Sequence, residues 1–268
     1  MKFTVLTLFP EIFDMYLSQT IIQRAAEKGI IDYEIVNIRD YSGNKHFQVD
    51  DIPFGGGAGM VLKPEPYWNF FSEKYSDPVE KPYTIFLTPQ GKTLNQEKVN
   101  ELSQKESVVI ISGRYEGLDQ RVIDKFVDEE ISLGDFVLSS GDLPALCLID
   151  SVARIKEGVI KKESFETDSF YNGLLGFPQY TRPAVIDGME VPEVLSSGHH
   201  KKIDEYRLLE SLRKTYKNRP DLLEKKLGDK EFQKIWLKYK EEGEKGMIHE
   251  VKKSRVEMKK HRGQIQLL

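Results

Sequence analysis

Glycine-bearing segments are the parts of this sequence whose residue types and spacing could do chemistry. The first, residues 50–66, holds four glycines within the five positions from Gly55 to Gly59. Glycine lets a backbone turn tightly or approach a ligand closely. No Gly-Lys-Ser/Thr follows, as a P-loop requires, and Met60 stands where a dinucleotide-binding fingerprint needs its third glycine. The segment is therefore either a mobile loop or a loop that contacts some other ligand.

Three further segments share one order of residue types: an apolar run, then glycine with polar residues, then the start of a helical pattern. They are FLTPQGKTLNQ (86–96), ISGRYEGLDQRVID (111–124) and SLGDFVLSSGDLPALCLIDSVAR (132–154). Ligands of open parallel sheets bind beyond the carboxyl ends of the strands. Three such loops at one edge of a sheet predict a shared pocket. Its backbone donors and acceptors would suit adenine and ribose hydroxyls better than a triphosphate.

The elements that position these loops form a regular alternation over residues 1–158. Short runs rich in β-branched or aromatic residues predict strands at residues 3–9, 33–38, 83–88, 107–112 and 128–133. Helical patterns fill the intervals, and DLPALCLIDSVARIKEG (142–158) closes the series. Strands and helices that alternate at this spacing predict an α/β fold, in which helices cover both faces of a mostly parallel sheet.

The alternation stops near residue 160. Residues 160–180 are polar with one short helical pattern, and residues 181–198 hold proline and glycine but little regular structure. An amphipathic helix is predicted over 199–216, and two more over RPDLLEKKL and EFQKIWLKYKEEG. We expect three parts, an α/β domain at 1–159, a flexible linker at 160–180, and a small helical C-terminal domain with an extension at 181–268.

The net charge of −4 conceals a strong asymmetry along the chain. Residues 1–197 carry 19 Lys and Arg against 31 Asp and Glu, whereas residues 198–268 carry 20 against 12, a net charge of +8. Neutralising phosphates is the main sequence-independent source of affinity for nucleic acid. The C-terminal third is therefore the part expected to bind RNA, and a solvated, lysine-rich helical tail is the alternative.

Composition excludes several other classes of protein. No stretch approaches the roughly 20 apolar residues of a membrane helix, and the N-terminus lacks the pattern of a signal peptide, so we expect a cytoplasmic protein without a membrane partner. Cys147 is the single cysteine, which rules out an internal disulfide and a cysteine zinc site; we expect a buried, inert thiol. His199 and His200 are adjacent and make a poor metal pair, so we predict no protein metal site.

Seven separated motifs fall in register with one known family. They are PFGGGAGMVLKPEP, LTPQG, GRYEGLDQRV, DEEISLGDFVLSSGDLPA, DSVAR, DSF and YTRPAV. Over residues 1 to about 225 the chain resembles the bacterial tRNA (guanine-N1)-methyltransferases, the TrmD family of the knotted SPOUT superfamily. The resemblance implies a deep trefoil knot at the cofactor site. It also implies methyl transfer from S-adenosyl-L-methionine to N1 of the guanosine immediately 3′ of the anticodon in tRNA. The partners it implies are tRNA and a second subunit, in a homodimer with a shared active site. Relatives suggest that a divalent cation such as Mg²⁺ assists.

The resemblance also assigns roles to individual residues. The cofactor pocket of the family falls on Phe86, Leu87, Thr88, Gly113, Tyr115, Glu116, Ser132, Leu133, Gly134, Asp135, Phe136, Val137, Leu138, Gly141 and Pro144. For the RNA substrate we expect contacts from Gly57, Gly59, Ser169, His199, His200 and Arg207. The chain departs from the family at Phe86 and Phe136, where relatives often have tyrosine, and at Ser140, where glycine is usual.

Two residues match the catalytic positions of the family. Asp168 matches its proposed general base, which would accept the N1 proton of guanine, and Arg154 its catalytic arginine, which would donate a hydrogen bond to O6. The alternatives are a helix N-cap at Asp168 and a solvated surface position for Arg154. For the whole chain, the alternatives are a knotted methyltransferase that acts on another RNA atom and a non-catalytic RNA-binding protein.

Overall fold

The computed structural model describes residues 1–75, 81–230 and 232–239. The chain divides into two compact units, Met1–Phe165 and Glu166–Leu268. Within the described residues, no helix combines the length and the apolar composition needed to span a membrane.

The first unit contains a parallel sheet and its covering helices. Its strands are β1 (Lys2–Thr7), β2 (Asp32–Asn37), β3 (Asp50–Asp51), β4 (Val61–Leu62), β5 (Tyr83–Thr93), β6 (Ser107–Ser112) and β7 (Glu129–Ser132). Its helices are α1 (Glu11–Leu17), α2 (Thr20–Glu27), α3 (Pro64–Lys74), α4 (Gln96–Ser103), α5 (Gln120–Phe126) and α6 (Asp142–Arg154), with a 3₁₀ helix at Ile38–Tyr41; α7 (Lys162–Glu166) follows.

Five strands form the main sheet in the order β2-β1-β6-β5-β7, and all their pairings are parallel. This confirms the α/β architecture and the five predicted strands. The central strand β6 alternates between two cores, because Val108 and Ile110 join one cluster while Val109 and Ile111 join the other. Helices α1, α2, α4 and α6 contribute to the first cluster, and α3 and α5 to the second. Each fully buried aliphatic side chain contributes about 1.5–3 kcal/mol.

Strand β5 differs from the sequence prediction, because it continues to Thr93 beyond its expected end near Thr88. Its pairing with β7 shifts register between Leu87 and Lys92. Pro89 lies in this interval and has no backbone N–H for the ladder, so the pairing is interrupted there. The strand therefore bulges at the carboxyl edge of the sheet.

The prediction of a buried thiol at Cys147 is wrong, since this side chain is exposed on α6. Leu146 and Leu148 on either side of it are buried. Leu143, one helical turn earlier on the same face, is also exposed. The apolar run around Cys147 therefore has a helical period, and the cysteine lies on its outer side.

The second unit is built from short elements and helices. They are β8 (Val185–Ile186), β9 (Met189–Glu190), α8 (Glu193–Ser196), α9 (His200–Asn218) and α10 (Pro220–Lys226), and residues 232–239 are also helical. Strands β8 and β9 pair as an antiparallel hairpin in a region where the sequence predicted little regular structure. Asp187 and Gly188 both have positive φ at its turn, which is the preferred backbone of an Asp-Gly hairpin.

A separate core holds the second unit together. It contains Leu174, Leu212 and Leu223 together with Phe232, Trp236 and Tyr239. The last three belong to the predicted helix EFQKIWLKYKEEG, of which residues 232–239 are described. The rest of the expected C-terminal extension, from residue 240 onward, lies outside the described residues.

Candidate functional site

A cavity of about 340 Å³ lies at the carboxyl ends of β5, β6 and β7, and its wall also includes the first turn of α6. Thirteen of the expected cofactor residues line it: Phe86, Leu87, Thr88, Gly113, Tyr115, Glu116, Ser132, Leu133, Phe136, Val137, Leu138, Gly141 and Pro144. Gly134 and Asp135 lie in the same loop but are not in the wall. Residues that sequence reasoning missed are Pro89, Gln90, Arg114, Gly117, Ile131, Ser139 and Ser140. Six of them lie inside the three segments 86–96, 111–124 and 132–154, which was their signal, whereas Ile131 belongs to β7.

Two of the cavity loops cross in direct contact. The backbone N–H of Gly141 donates to the carbonyl of Gly113 at 2.7 Å, and Arg114 forms an isolated bridge with Ser140. A Cβ on Gly141 would lie 2.7 Å from the Gly113 nitrogen, closer than real Cβ contacts come. Only glycine therefore allows the loop after β7 to lie against the loop after β6.

Asp142 anchors this crossing at the N-terminus of α6. Its carboxylate is 2% exposed and accepts hydrogen bonds from the hydroxyls of Thr7 (2.7 Å), Ser112 (2.6 Å) and Ser140 (2.8 Å). A negative charge is favourable at a helix N-terminus. One carboxylate thus joins the ends of β1 and β6 to the cavity loop and to α6.

The cavity wall also contains a backbone in the left-handed region. Tyr115 has φ of +59°, a conformation that residues other than glycine adopt only in a few per cent of cases. Ser132 stabilises the opposite loop, because its hydroxyl accepts from the Gly134 N–H at 3.1 Å and lies 3.0 Å from the Gly134 carbonyl. On both sides of the cavity, the conformation of the loop is therefore determined by residues of that loop and of the strand before it.

The glycine-rich segment forms the tip of a hairpin between β3 and β4. Its residue Gly59 has φ of +82°, and a Cβ there would overlap the carboxylate of Glu116. The backbone N–H of Glu116 also donates to the carbonyl of Met60 at 3.0 Å. The structure therefore brings Gly59 to the rim of the cavity, whereas a Cβ on Gly57 would meet nothing within 4 Å.

Arg154 is partly buried and is the last residue of α6. Helix geometry places it about 15 Å along the axis from Pro144 in the cavity wall, a distance longer than an arginine side chain. Arg154 is not among the described residues that line the cavity. Within a single chain, Arg154 therefore does not reach the first turn of α6, which lines the cavity.

Asp168 and Ser169 lie in the second unit, in a compact series of turns. The Phe170 N–H donates to the carbonyl of Leu174 at 2.7 Å, and the Gly176 N–H donates to the Ser169 hydroxyl at 2.9 Å. Residues 167–174 form turns and bends rather than a helix. The alternative in which Asp168 caps a helix is therefore wrong, because no helix begins after it in this series of turns.

The remaining expected RNA contacts lie on α9. This helix begins at His200, with His199 at its N-cap, and both side chains are exposed. Arg207 lies about two turns further along, with its guanidinium over the ring of Phe177 at 5.0 Å. Among the described residues, no group of three or more His, Cys, Asp or Glu is arranged to hold a metal ion.

Comparison with known proteins decides the family. The family described as tRNA (Guanine-1)-methyltransferase TrmD matches residues 1–225 of this chain. The chain belongs to the TrmD family.

Individual relatives agree with this family. The chain is 51% identical to the tRNA (guanine-N(1)-)-methyltransferase of Clostridioides difficile over 227 residues, which cover 84% of this chain and 98% of the relative. It is 50% identical to that of Fusobacterium nucleatum over 256 residues, or 96% and 100% of the two chains. Among solved structures, the tRNA (m1G37) methyltransferase from Aquifex aeolicus superposes with a TM-score of 0.67 and 43% identity, covering 85% of this chain and 97% of that one.

The departures from the TrmD pattern have simple structural accounts. Ser140 uses its hydroxyl to donate to Asp142, so it adds a bond to the carboxylate that anchors the cavity loop. Phe86 is buried within the second core cluster of the first unit, where a phenyl ring needs no hydroxyl partner. Phe136 is exposed and lines the cavity.

Proposed function

We propose that this chain transfers a methyl group from S-adenosyl-L-methionine to N1 of the guanosine immediately 3′ of the anticodon in tRNA. The observation that carries this function is the cavity, since its wall is built from the loops that hold the TrmD motifs. Membership of this family favours guanine N1 over another RNA atom, and it favours an enzyme over a non-catalytic RNA-binding protein.

The cavity fits the chemistry of the cofactor. Its volume of about 340 Å³ lies in the range of small-molecule sites, which are mostly apolar with a few placed polar groups. Leu87, Leu133 and Leu138 offer apolar surface for an adenine ring, while backbone groups and the hydroxyl of Thr88 offer hydrogen bonds. The carboxylate of Glu116 suits a cationic amino group. When bound, S-adenosyl-L-methionine would supply a methyl group on a positively charged sulfonium, from which a neutral thioether leaves readily.

The proposed task of the catalytic residues is to control the charge of guanine. N1 carries a proton that must leave as the new bond forms. The carboxylate of Asp168 takes this proton, and a positioned base of this kind contributes about 10²–10⁴-fold to a rate. The guanidinium of Arg154 donates a hydrogen bond to O6, where negative charge develops.

We assign the active site to two subunits of a homodimer. The position of Arg154, about 15 Å along α6 from Pro144, supports a site that takes this residue from a second chain. Helices α1 and α6 each expose an apolar side chain, with Met15 79% and Leu143 55% exposed. The hydroxyl of Tyr16 on α1 donates to Asp150 on α6 at 2.9 Å, so the two helices are adjacent. Exposed apolar side chains on adjacent helices support a protein interface here.

A deep trefoil knot at the cofactor site is part of the proposed fold. The chain leaves the edge strand β7, and α6 then returns to pack against β1 and β6. The cavity loop lies directly on the loop after β6 through the Gly141–Gly113 hydrogen bond. These two features support the proposed knot.

Partners and location follow from the substrate. The positive segment 198–268 makes the second unit the proposed tRNA-binding part, and the tRNA substrate makes the cytoplasm the proposed location. No step assigned to the residues depends on a divalent cation such as Mg²⁺.

The target base can be tested by transfer of labelled methyl from S-adenosyl-L-methionine to unmodified tRNA transcripts. Two transcripts are compared, one with guanosine 3′ of the anticodon and one with adenosine there. We expect label only in the first. Equal labelling of the two, or none in either, would overturn the proposed function.

A further inference from the structure

A second cavity lies in the first unit, at the opposite edge of the main sheet from the cofactor cavity. It has a volume of about 200 Å³, and its wall is formed by the second half of α3, the end of α5 and Lys81. Both helices end here, and β5 and β7 begin a few residues further along the chain. The cofactor cavity lies instead at the carboxyl ends of these strands. The second cavity is therefore a separate site, and we call it the aromatic cavity.

Aromatic rings form most of this wall. Phe71 and Phe126 stack with their centroids 4.4 Å apart and their planes inclined by 8°. The ring of Trp68 meets Phe126 edge-on, with the centroids 4.8 Å apart. Phe71 and Phe126 are buried, whereas Trp68 and Tyr75 are partly exposed. The partly exposed rings leave aromatic surface accessible to a ligand, and such a surface favours another flat ring.

The charged groups of the wall are positive. Lys125 lies in the last turn of α5 and is exposed. The ammonium of Lys81 lies 2.6 Å from the carboxylate of Asp128, so this charge is already matched. Within the described part of the chain, no residue that lines the aromatic cavity is acidic, and none is histidine or cysteine. The wall therefore suits an anion better than a cation or a metal ion, with Lys125 as its partner.

The volume limits the size of the ligand. Sites for drug-sized molecules have volumes of about 300–1,000 Å³, and the aromatic cavity is smaller, at about 200 Å³. It is also smaller than the cofactor cavity of about 340 Å³, so a nucleoside with an amino-acid side chain would not fit within it. A single ring or two fused rings with a short acidic side chain match this space.

We infer that the aromatic cavity binds a small aromatic carboxylic acid with one ring or two fused rings, such as an indole or phenyl carboxylate. The ring packs against Trp68 and Tyr75, and the carboxylate accepts a hydrogen bond from the ammonium of Lys125. This inference does not rest on the proposed methyl transfer, because the two cavities share no residue. The chain then has a second small-molecule site at the amino edge of its sheet.

The test follows the indole N–H signals of the full chain by NMR, with isotopically labelled tryptophan. The chain has two tryptophans, Trp68 in the aromatic cavity and Trp236 in the core of the second unit. The signal of Trp68 therefore reports on the cavity, and that of Trp236 is an internal control; Trp68→Phe assigns the two. S-adenosyl-L-methionine is present throughout to keep the probes out of the cofactor cavity.

Three probes separate the contributions of charge and of ring shape. Indole-3-acetate has both the flat ring and the carboxylate, tryptamine has the ring with a positive charge, and cyclohexylacetate has the carboxylate without a flat ring. Lys125→Met removes the proposed partner of the carboxylate. Lys28→Met is the matched control, because Lys28 is also exposed at the end of a helix, α2, but lies outside the wall. Thermal unfolding checks that each variant is folded.

We expect indole-3-acetate to shift the Trp68 signal saturably and to leave the Trp236 signal unchanged. Tryptamine and cyclohexylacetate should both bind more weakly. Lys125→Met should weaken the binding of indole-3-acetate about 3-fold, the magnitude of an exposed ion pair, whereas Lys28→Met should bind it as the wild type does.

Three results would each overturn the inference. They are the absence of a saturable shift of the Trp68 signal, an affinity for tryptamine or cyclohexylacetate equal to that for indole-3-acetate, and an unchanged affinity in Lys125→Met. None of them bears on methyl transfer to tRNA, which is measured separately, so the proposed function would stand if the aromatic cavity failed.

Discussion

At the scale of residues, the two side chains assigned to catalysis occupy contrasting positions. Arg154 closes α6, whose first turn lines the cofactor cavity, and Asp168 lies in a hydrogen-bonded series of turns in the second unit. Neither is among the described residues that line the cavity. A site at this cavity that uses Arg154 takes that residue from a second chain, as proposed above.

The substitution Asp168→Asn tests the base directly. It keeps size and polarity but removes basicity, so single-turnover methyl transfer should fall by roughly 10²-fold or more. The affinity for S-adenosyl-L-methionine should stay unchanged. Rapid-quench measurement of labelled tRNA under single-turnover conditions gives the rate.

Asp187→Asn is the matched control for this substitution. Asp187 lies at the β8–β9 turn with φ of +50°, a conformation that asparagine also tolerates. Its single-turnover rate should equal that of the wild type. A rate for Asp168→Asn close to that of Asp187→Asn would remove Asp168 from the role of base.

The residue roles came from different kinds of signal. The cavity residues could be predicted because they follow strand ends, where ligands of parallel sheets bind. Asp168 and Arg154 could be named only from the resemblance, since a lone aspartate in a polar segment and an arginine at a helix end have no chemical signature of their own. The anchoring role of Asp142 was not predicted, because its three hydroxyl partners lie up to 135 positions away from it in the sequence.

At the scale of elements, the buried carboxylate of Asp142 should have a measurable effect on stability. Asp142→Ala removes the acceptor of three hydroxyls, of which those of Thr7 and Ser112 are buried, and should lower the free energy of unfolding by about 2–5 kcal/mol. Asp142→Asn keeps one oxygen acceptor and should cost less. Urea titrations give both values.

Asp124→Ala on α5 is the control. Asp124 accepts a hydrogen bond from Gln120 at an exposed position, so its loss should cost no more than about 1 kcal/mol. If Asp142→Ala were as stable as Asp124→Ala, the carboxylate would not hold β1, β6 and the cavity loop together.

The crossing of the two cavity loops predicts the effect of a single methyl group. In Gly141→Ala, the Cβ would lie 2.7 Å from the Gly113 nitrogen, so one loop must move and distort the cavity. The affinity for S-adenosyl-L-methionine should fall at least about 10-fold, a change of 1.4 kcal/mol, by calorimetry. Gly228→Ala, whose Cβ would meet its nearest atom at 3.8 Å, should leave the affinity unchanged. An affinity for Gly141→Ala within twofold of the wild type would show that the crossing is not needed for binding.

Regular elements were the part of the fold that the sequence predicted well. The five strands of the main sheet have strong β-branched runs, and α9 has a clear amphipathic period. The bulge of β5 at Pro89 and the hairpin at Asp187-Gly188 were missed, although Pro and Asp-Gly are known local signals. The contact of Gly141 with Gly113 could not be predicted from periodicity, because it depends on which loops meet in space.

At the scale of the whole molecule, the structure changes the expected extent of the C-terminal extension. The family resemblance ends near residue 225, but Phe232, Trp236 and Tyr239 belong to the core of the second unit. A truncation near residue 228 would therefore remove part of that core. The segment 240–268 carries eight Lys and Arg against five Asp and Glu, so it holds less than half of the positive excess of the C-terminal third.

The knot and the shared site could not be predicted from patterns along the chain. Hydrophobic periodicity indicates whether a segment is buried. It does not show how the chain is threaded, or which subunit of a dimer contributes a residue to a site. Both were implied by the resemblance alone. The return of α6 from the edge strand to β1 and β6 supports the first, and the position of Arg154 supports the second.

A mixed dimer tests the shared site. One chain carries Asp168→Asn and the other Gly141→Ala, and two affinity tags allow the heterodimer to be isolated. If each site takes its cavity from one chain and its base from the other, one site of the heterodimer is intact. Methyl transfer should then clearly exceed that of either mutant homodimer. A heterodimer as inactive as both parents would mean that cavity and base belong to the same chain.

The chemical identity of the product tests the central claim most directly. Unmodified tRNA is incubated with the protein and S-adenosyl-L-methionine, digested to nucleosides and separated with mass-spectrometric detection, and the modified position is mapped in the intact strand. We predict 1-methylguanosine, located immediately 3′ of the anticodon. A ribose-methylated nucleoside, a methyl group on another base, or 1-methylguanosine at a different position would contradict this account.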